Sequence, residues 1–297
     1  MSVVSGGRTI FCEGKQNSLD YELLSRLVEG IVGDRYTIVP AGSKFTFAIF
    51  AQGYFFPNKA QRYIIFRDRD FDVQPPSTIQ LLQLGNRLGN RSIALTYRSC
   101  IENYLLDPDL IHTYWTTKYT EKLDNPISSW GHGNSPGVEA ISMWIESSAR
   151  NLQFYQAVRW ALGDLLRMST AREQLKTTWT GGSGKLPDLL DLQSCQNQAL
   201  ELINQFRQAV DSVTPENFEA SLNSYQQLFT QEDFWIQKQY LIWFHGKDIQ
   251  KQMHKQKPNY PPLKKRKGGD FFDWAITKLD ITQHPDLVAL KARIEQL

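Results

Sequence analysis

Apolar and polar positions in the first hundred residues repeat in two different rhythms. Four short runs rich in β-branched and aromatic residues have the length of buried strands: Thr9-Ile-Phe-Cys12, Tyr36-Thr-Ile-Val39, Arg62-Tyr-Ile-Ile-Phe66 and Ser92-Ile-Ala-Leu-Thr96. Between the first two, Leu19, Leu23, Leu24, Leu27, Val28 and Ile31 recur at helical spacing after Asn17 and Ser18, both good N-caps, with Gly30 or Gly33 to end the helix. A second helix is expected from about Ser43 to Gln52 and a third over Thr78 to Leu88. Strands alternating with helices predict a parallel sheet with right-handed crossovers, and ligands in such sheets lie outside the carboxyl ends of the strands.

From Ser135 the alternation stops and the pattern is helical. Val138 to Thr170 reads as one long or broken helix, with Ile141, Trp144, Ile145, Leu152, Tyr155, Val158 and Leu162 at spacings of three and four. Further helices are predicted near Asp188 to Ser212, Pro215 to Phe229, Phe234 to Gln256, Asp270 to Leu279 and Pro285 to Gln296. The aromatic stripe Phe234, Trp235, Tyr240, Trp243 and Phe244 suits a core or a subunit interface better than a base-stacking platform. Gly181-Gly-Ser-Gly-Lys185 fails as a phosphate-binding loop. Trp179 stands where the first glycine belongs, Leu186 follows the lysine, and no strand precedes; a flexible connector is the better reading. The expected organisation is an α/β unit over residues 1–118 and a helical region over 135–297.

The chain has 297 residues, 41% of them hydrophobic, as expected of a globular protein with a sizeable core. No apolar run reaches the roughly 18 residues a membrane span needs, and Met1 to Gly7 lacks a signal-peptide core, so a cytoplasmic location is expected with no membrane association. Cys12, Cys100 and Cys195 lack metal-ligand spacing and fit a reducing compartment, and Cys12 is expected to be buried in its strand. Net charge is +2, yet Lys247 to Lys267 carries eight Lys or Arg against one acid, Asp248. Within it Lys264, Lys265, Arg266 and Lys267 form a candidate patch for a nucleic-acid backbone or an acidic partner, the alternative being a solubilising loop.

The chemistry concentrates where the third strand ends, in Asp68, Asp70 and Asp72. Like charges a few ångströms apart repel by roughly 4 kcal/mol per pair at an effective dielectric of about 20, and a divalent cation is the common compensation. A charged turn neutralised by Arg67 and Arg69 is the alternative. Glu13 after the first strand and Glu102 after the fourth are expected on the same edge, Glu102 alternatively as a helix-start acid. Asp20, in the first turn of the first helix, is accounted for by the helix dipole. The five histidines are scattered without zinc-ligand spacing, and an all-carboxylate site points to Mg2+ or Mn2+.

Glu13-Gly14 after the first strand, Ala41-Gly42-Ser43-Lys44 after the second and Asp68-Arg-Asp70 after the third resemble the Toprim fold, the module of topoisomerases, bacterial primases and OLD-type nucleases. The wider pattern Cys12-Glu-Gly-Lys15, Asp68-Arg-Asp-Phe-Asp72 and Ile101-Glu-Asn-Tyr-Leu-Leu106 is similar to stand-alone Toprim nucleases encoded beside an OLD-like ABC ATPase in anti-phage defence. The resemblance covers roughly residues 8–111. It implies that Glu13, Asp68 and Asp70 are catalytic and metal-binding, with Asp72 and Glu102 as further ligands of Mg2+ or Mn2+. It also implies that Lys44, Arg67 and Arg69 steady substrate phosphates, each alternatively a solvated surface charge. Related proteins often carry an acid where this chain has Asn17, a place Asp20 fills only if the turn is longer. The implied activity is metal-assisted phosphodiester hydrolysis on DNA or RNA, tRNA included, by a defence effector restrained by the ABC-type ATPase. The helical region would then serve substrate grip, homodimer formation or partner docking. The rival reading is a non-catalytic regulatory or nucleic-acid-binding subunit of an ATPase complex.

Overall fold

The computed structural model describes residues 8–29, 31, 36–43, 46, 63–85, 92–125, 127–168, 177–180, 182–207, 213–263 and 271–297. Five strands form one sheet in the order β2-β1-β3-β5-β4: β1 (Arg8–Cys12), β2 (Tyr36–Pro40), β3 (Tyr63–Arg67), β4 (Leu82–Gly85) and β5 (Ser92–Leu95). The first three and β5 run parallel, while β4 pairs antiparallel with β5, Leu82 opposite Leu95 and Gly85 opposite Ser92. The helix expected over Thr78 to Leu88 is therefore corrected to an edge strand. Leu82 and Leu84 sit two apart with Gln83 exposed between them, the period of a strand, and Pro75-Pro76 discourages a helix leading into it. The helix expected from Ser43 to Gln52 and the residue Lys44 lie outside the described residues, apart from Ser43 and Thr46.

One face of the sheet, carrying Ile10, Cys12, Ile64, Phe66 and Ala94, belongs to a single apolar core that continues through the helices to Ile294. The other face holds the smaller cluster of Phe11, Val39, Ala41 and Ile65. Helix α1 (Leu19–Val28) buries Leu19, Leu23, Leu24 and Leu27, and the Ser18 side chain accepts the Tyr21 N–H as its N-cap. After β5 every named element is helical: α2 (Glu102–Leu105), α3 (Pro108–Asp124), α4 (Val138–Asn151), α5 (Gln153–Met168), α6 (Leu192–Arg207), α7 (Pro215–Thr230), α8 (Glu232–Ile236), α9 (Tyr240–Trp243), α10 (Gly246–Gln256), α11 (Phe271–Lys278) and α12 (Pro285–Glu295), with a 3-10 turn at Ile281–Gln283. The long helix expected from Val138 breaks at Leu152, and the aromatic helix expected from Phe234 divides into three. Its rings pack on one another, with Phe234, Trp235, Tyr240 and Phe244 all buried, which makes the stripe core.

Strand order places a topological switch at β1 and β3. β2 follows β1 on one side, while β4 and β5, which follow β3, lie on the other, opening a crevice at the carboxyl ends of β1 and β3. Glu13 follows β1 and Asp68 follows β3, on the two lips of that crevice. Among the described residues, no helix is long and apolar enough to cross a membrane.

A candidate acidic site completed by the helical region

The turn after β1 is built around a glycine. Gly14 has φ +85°, forms a two-hydrogen-bond bridge to Gly42 (2.9 and 3.0 Å), and a Cβ there would stand 2.7 Å from Ser18 Cβ. Asn17 adopts φ +68°, a left-handed conformation its short amide tolerates, and delivers Ser18 to its capping position. This long turn carries α1 into the crevice so that Asp20 joins Glu13 there. Asp20 is half-buried with Oδ1 wholly enclosed and without a hydrogen-bond partner among the described residues. Burial, opposed by Lys247 and reinforced by Glu102 and Glu13, pushes its carboxyl up to about 7.

Asp68 is buried at the end of β3, and its Oδ1 accepts the Ile101 N–H at 3.0 Å. Burial first, then the charge of Asp20, raises its carboxyl well above the usual range. Glu102 is buried at the start of α2, and Asp68, Glu102 and the Cys100 thiol present atoms within 4.8 Å of one another. Burial also raises Cys100 well above the ordinary thiol range, so it stays protonated. Lys247, on α10, reaches this group: its Nζ lies 3.6 Å from Glu102 Oε1 and 4.0 Å from Asp68 Oδ2. The acids, Glu102 foremost, raise the ammonium well above its ordinary value and keep it charged.

Asp70 does not join Asp68 in that cluster. Its backbone is left-handed (φ +51°), its N–H donates to Ser99 O at 2.8 Å, and its Oδ1 lies 3.1 Å from Nε2 of the buried His245. Asp72 pairs with Arg67 at 2.6 Å, both side chains 7% exposed, which neutralises it in place. Arg67 and Arg69, expected at substrate phosphates, are buried instead. Arg69 donates to the carbonyls of Tyr97, Val73 and Ile242 and lies over the Trp160 ring, so its guanidinium ties the loop after β3 to the helices. Lys264, Lys265, Arg266 and Lys267 fall outside the described residues.

Two residues of the site were missed by sequence reasoning, His245 and Lys247, because they lie about 140 residues from Glu102 and occur in a segment that reads as a basic helix. Their placement depends on Asn103. Its Oδ1 accepts the N–H groups of Cys100 (3.2 Å) and Gly246 (2.9 Å), while Nδ2 donates to Phe244 O at 2.9 Å. Gly246 is required by that approach, since a Cβ would meet the Asn103 backbone nitrogen at 2.8 Å. On the other side, Asp248 is fully buried and pairs with Arg159, accepting also from Gln156 (2.9 Å) and the Gly184 N–H (2.7 Å). The glycine-rich loop read as a connector is thus pinned at Gly184 against the start of α10. The only local hint was the compact run Phe244-His-Gly-Lys-Asp248, polar and glycine-bearing in the middle of an aromatic segment.

The donor set suits a small oxygen-liganded divalent ion. Asp68 and Glu102 supply carboxylate oxygens within 4.8 Å of one another, whereas the protonated Cys100 beside them is a poor ligand for a hard cation; the enclosed, unpartnered oxygen of Asp20 is not one of that group. Scans of the chain against protein-family models and against curated proteins find no match.

Proposed function

We propose that this protein is a Mg2+- or Mn2+-dependent phosphodiester hydrolase acting on nucleic acid through a Toprim-like site, with an ABC-type ATPase as the partner that restrains it. The observation that carries the reading is the convergence of Glu13, Asp20, Asp68 and Glu102 on one sheet edge beside the Lys247 ammonium. The raised carboxyls of Asp20 and Asp68 in this cluster are what a bound divalent ion would relieve. Asp68 and Glu102 would hold the ion, with the charge of Asp20 beside Asp68, and the ion when bound supplies Lewis-acid polarisation of a phosphate oxygen. Glu13, half-buried at the turn after β1, would take a proton from an attacking water. His245 fixes the Asp70 carboxylate at the rim, and the Arg69 clamp keeps the loop between them rigid. The defence setting and the ATPase follow from the Toprim resemblance of residues 8–111.

One observation favours the rival, a non-catalytic subunit: the Lys247 ammonium already offsets part of the charge of Asp68 and Glu102. A cleavage assay separates the two. Purified wild type and Glu13→Ala are incubated with mixed DNA and RNA and Mg2+, alone and with the ATPase and its trigger. Cleavage by wild type and not by Glu13→Ala supports the hydrolase; cleavage by both proteins, or by neither under every condition, overturns it as stated.

A further inference from the structure

We propose that Lys247 is a tethered cation that competes with a divalent ion for the Asp68–Glu102 carboxylates, so that loading the site displaces its ammonium. The inference rests on the cation site proposed above. The Nζ bridges one oxygen of each carboxylate at 4.0 and 3.6 Å. A divalent ion liganded by the same oxygens at about 2.0–2.6 Å would stand within a few ångströms of that ammonium, where repulsion between them is strong. Exposure shows which group can yield. The Lys247 side chain is 44% exposed, while those of Asp68 and Glu102 are 9% and 10% exposed, so the ammonium caps a buried acidic pair from the solvent side.

The backbone under Lys247 is fixed on both sides. His245 is buried with its ring between Asp70 and Cys100, Gly246 is locked onto Asn103, and Asp248 is held by Arg159, Gln156 and Gly184. Release of the ammonium therefore needs rotation of the four-carbon stem alone, with no shift of α10. The helical region in this way sets the cation affinity of a site whose ligands come from the sheet edge.

The test measures Mn2+ binding without nucleic acid, by calorimetry or Mn2+ electron paramagnetic resonance at one fixed pH. The proteins are full-length wild type, Lys247→Gln and Lys247→Arg. Lys247→Gln is expected to bind Mn2+ at least about tenfold more tightly than wild type, and Lys247→Arg, which keeps the charge, within about threefold of it. Should Lys247→Gln fold only with cation present, the rise of its melting temperature with Mn2+ concentration supplies the affinity instead. Equal or weaker binding by Lys247→Gln, with Asp68→Asn abolishing binding, overturns the competition and leaves the cation site standing. Absence of binding in wild type and Lys247→Gln alike, with both folded, overturns the cation site itself and the competition with it.

Discussion

Asp20→Asn tests whether the fold disfavours an ionised Asp20, through burial and the neighbouring acids. Asp20 has an enclosed, unpartnered Oδ1, and its carboxyl is raised to about 7 by burial and by Glu102 and Glu13 against the pull of Lys247. An acid raised on folding contributes its stability fully below the unfolded value near 4, and that stability is lost as pH rises through about 7. Each unit corresponds to 1.36 kcal/mol, so ionising Asp20 costs about 4 kcal/mol at most, and about 2–4 kcal/mol once the burden is shared with Asp68 and Glu102. Asparagine removes the charge and can donate to a neighbouring carboxylate. With an unfolding entropy of about 2.1 cal/mol/K per residue over 297 residues, the variant is expected to melt about 3–6 °C higher than wild type at pH 8 without divalent cation. At pH 4 the two should melt together. Scanning calorimetry across pH 4 to 8 decides it. A variant no more stable at pH 8, or one shifted equally at both ends, would refute the claim that burial and the neighbouring acids disfavour an ionised Asp20.

Three further outcomes follow from the packing around α10 and from the half-buried His284. Gly246→Ala forces a Cβ to 2.8 Å from the Asn103 nitrogen; it should cost about 1–3 kcal/mol in chemical denaturation. Arg159→Met leaves Asp248 buried without its counter-ion and should destabilise by about 3–5 kcal/mol, read as a lower denaturation midpoint at unchanged slope. His284 is lowered to about 4, chiefly by burial and then by Arg98. A histidine lowered on folding supports stability above its unfolded value near 6.5 and withdraws it as pH falls toward 4. His284→Phe should therefore flatten acid unfolding between those pH values, by about 1–2 kcal/mol given its partial exposure.

Much of the sheet was legible because its signals are local. The runs ending at Cys12, Val39 and Phe66 are uninterrupted apolar strands, and Ser18 announces α1 by a cap that depends on one side chain. Leu82 to Gly85 was misread because four residues cannot distinguish period two from a helical face; pairing with β5 decided the matter. Glu13 and Asp68 were legible as acids directly after strands, and Glu102 as the acid opening the helix that follows β5, since a parallel sheet puts such positions on one edge. The parts that were not legible depend on contacts far apart in the chain. Nothing near Arg69 reveals that its guanidinium reaches Ile242 O, and nothing near Asp70 reveals His245. Asp20 was assigned to the helix dipole because its position in the first turn suffices for that role; the left-handed Asn17, which lengthens the turn, is what brings it to the other acids.

Crystals grown with Mn2+ and measured at a wavelength where manganese scatters anomalously test the central claim most directly. The account predicts one strong anomalous peak within ligand distance of Asp68 and Glu102, bordered by Asp20, with the Lys247 ammonium moved away from both carboxylates. A peak between Asp70 and Asp72 instead, or none at the sheet edge while Lys247 keeps its bridge, would contradict it.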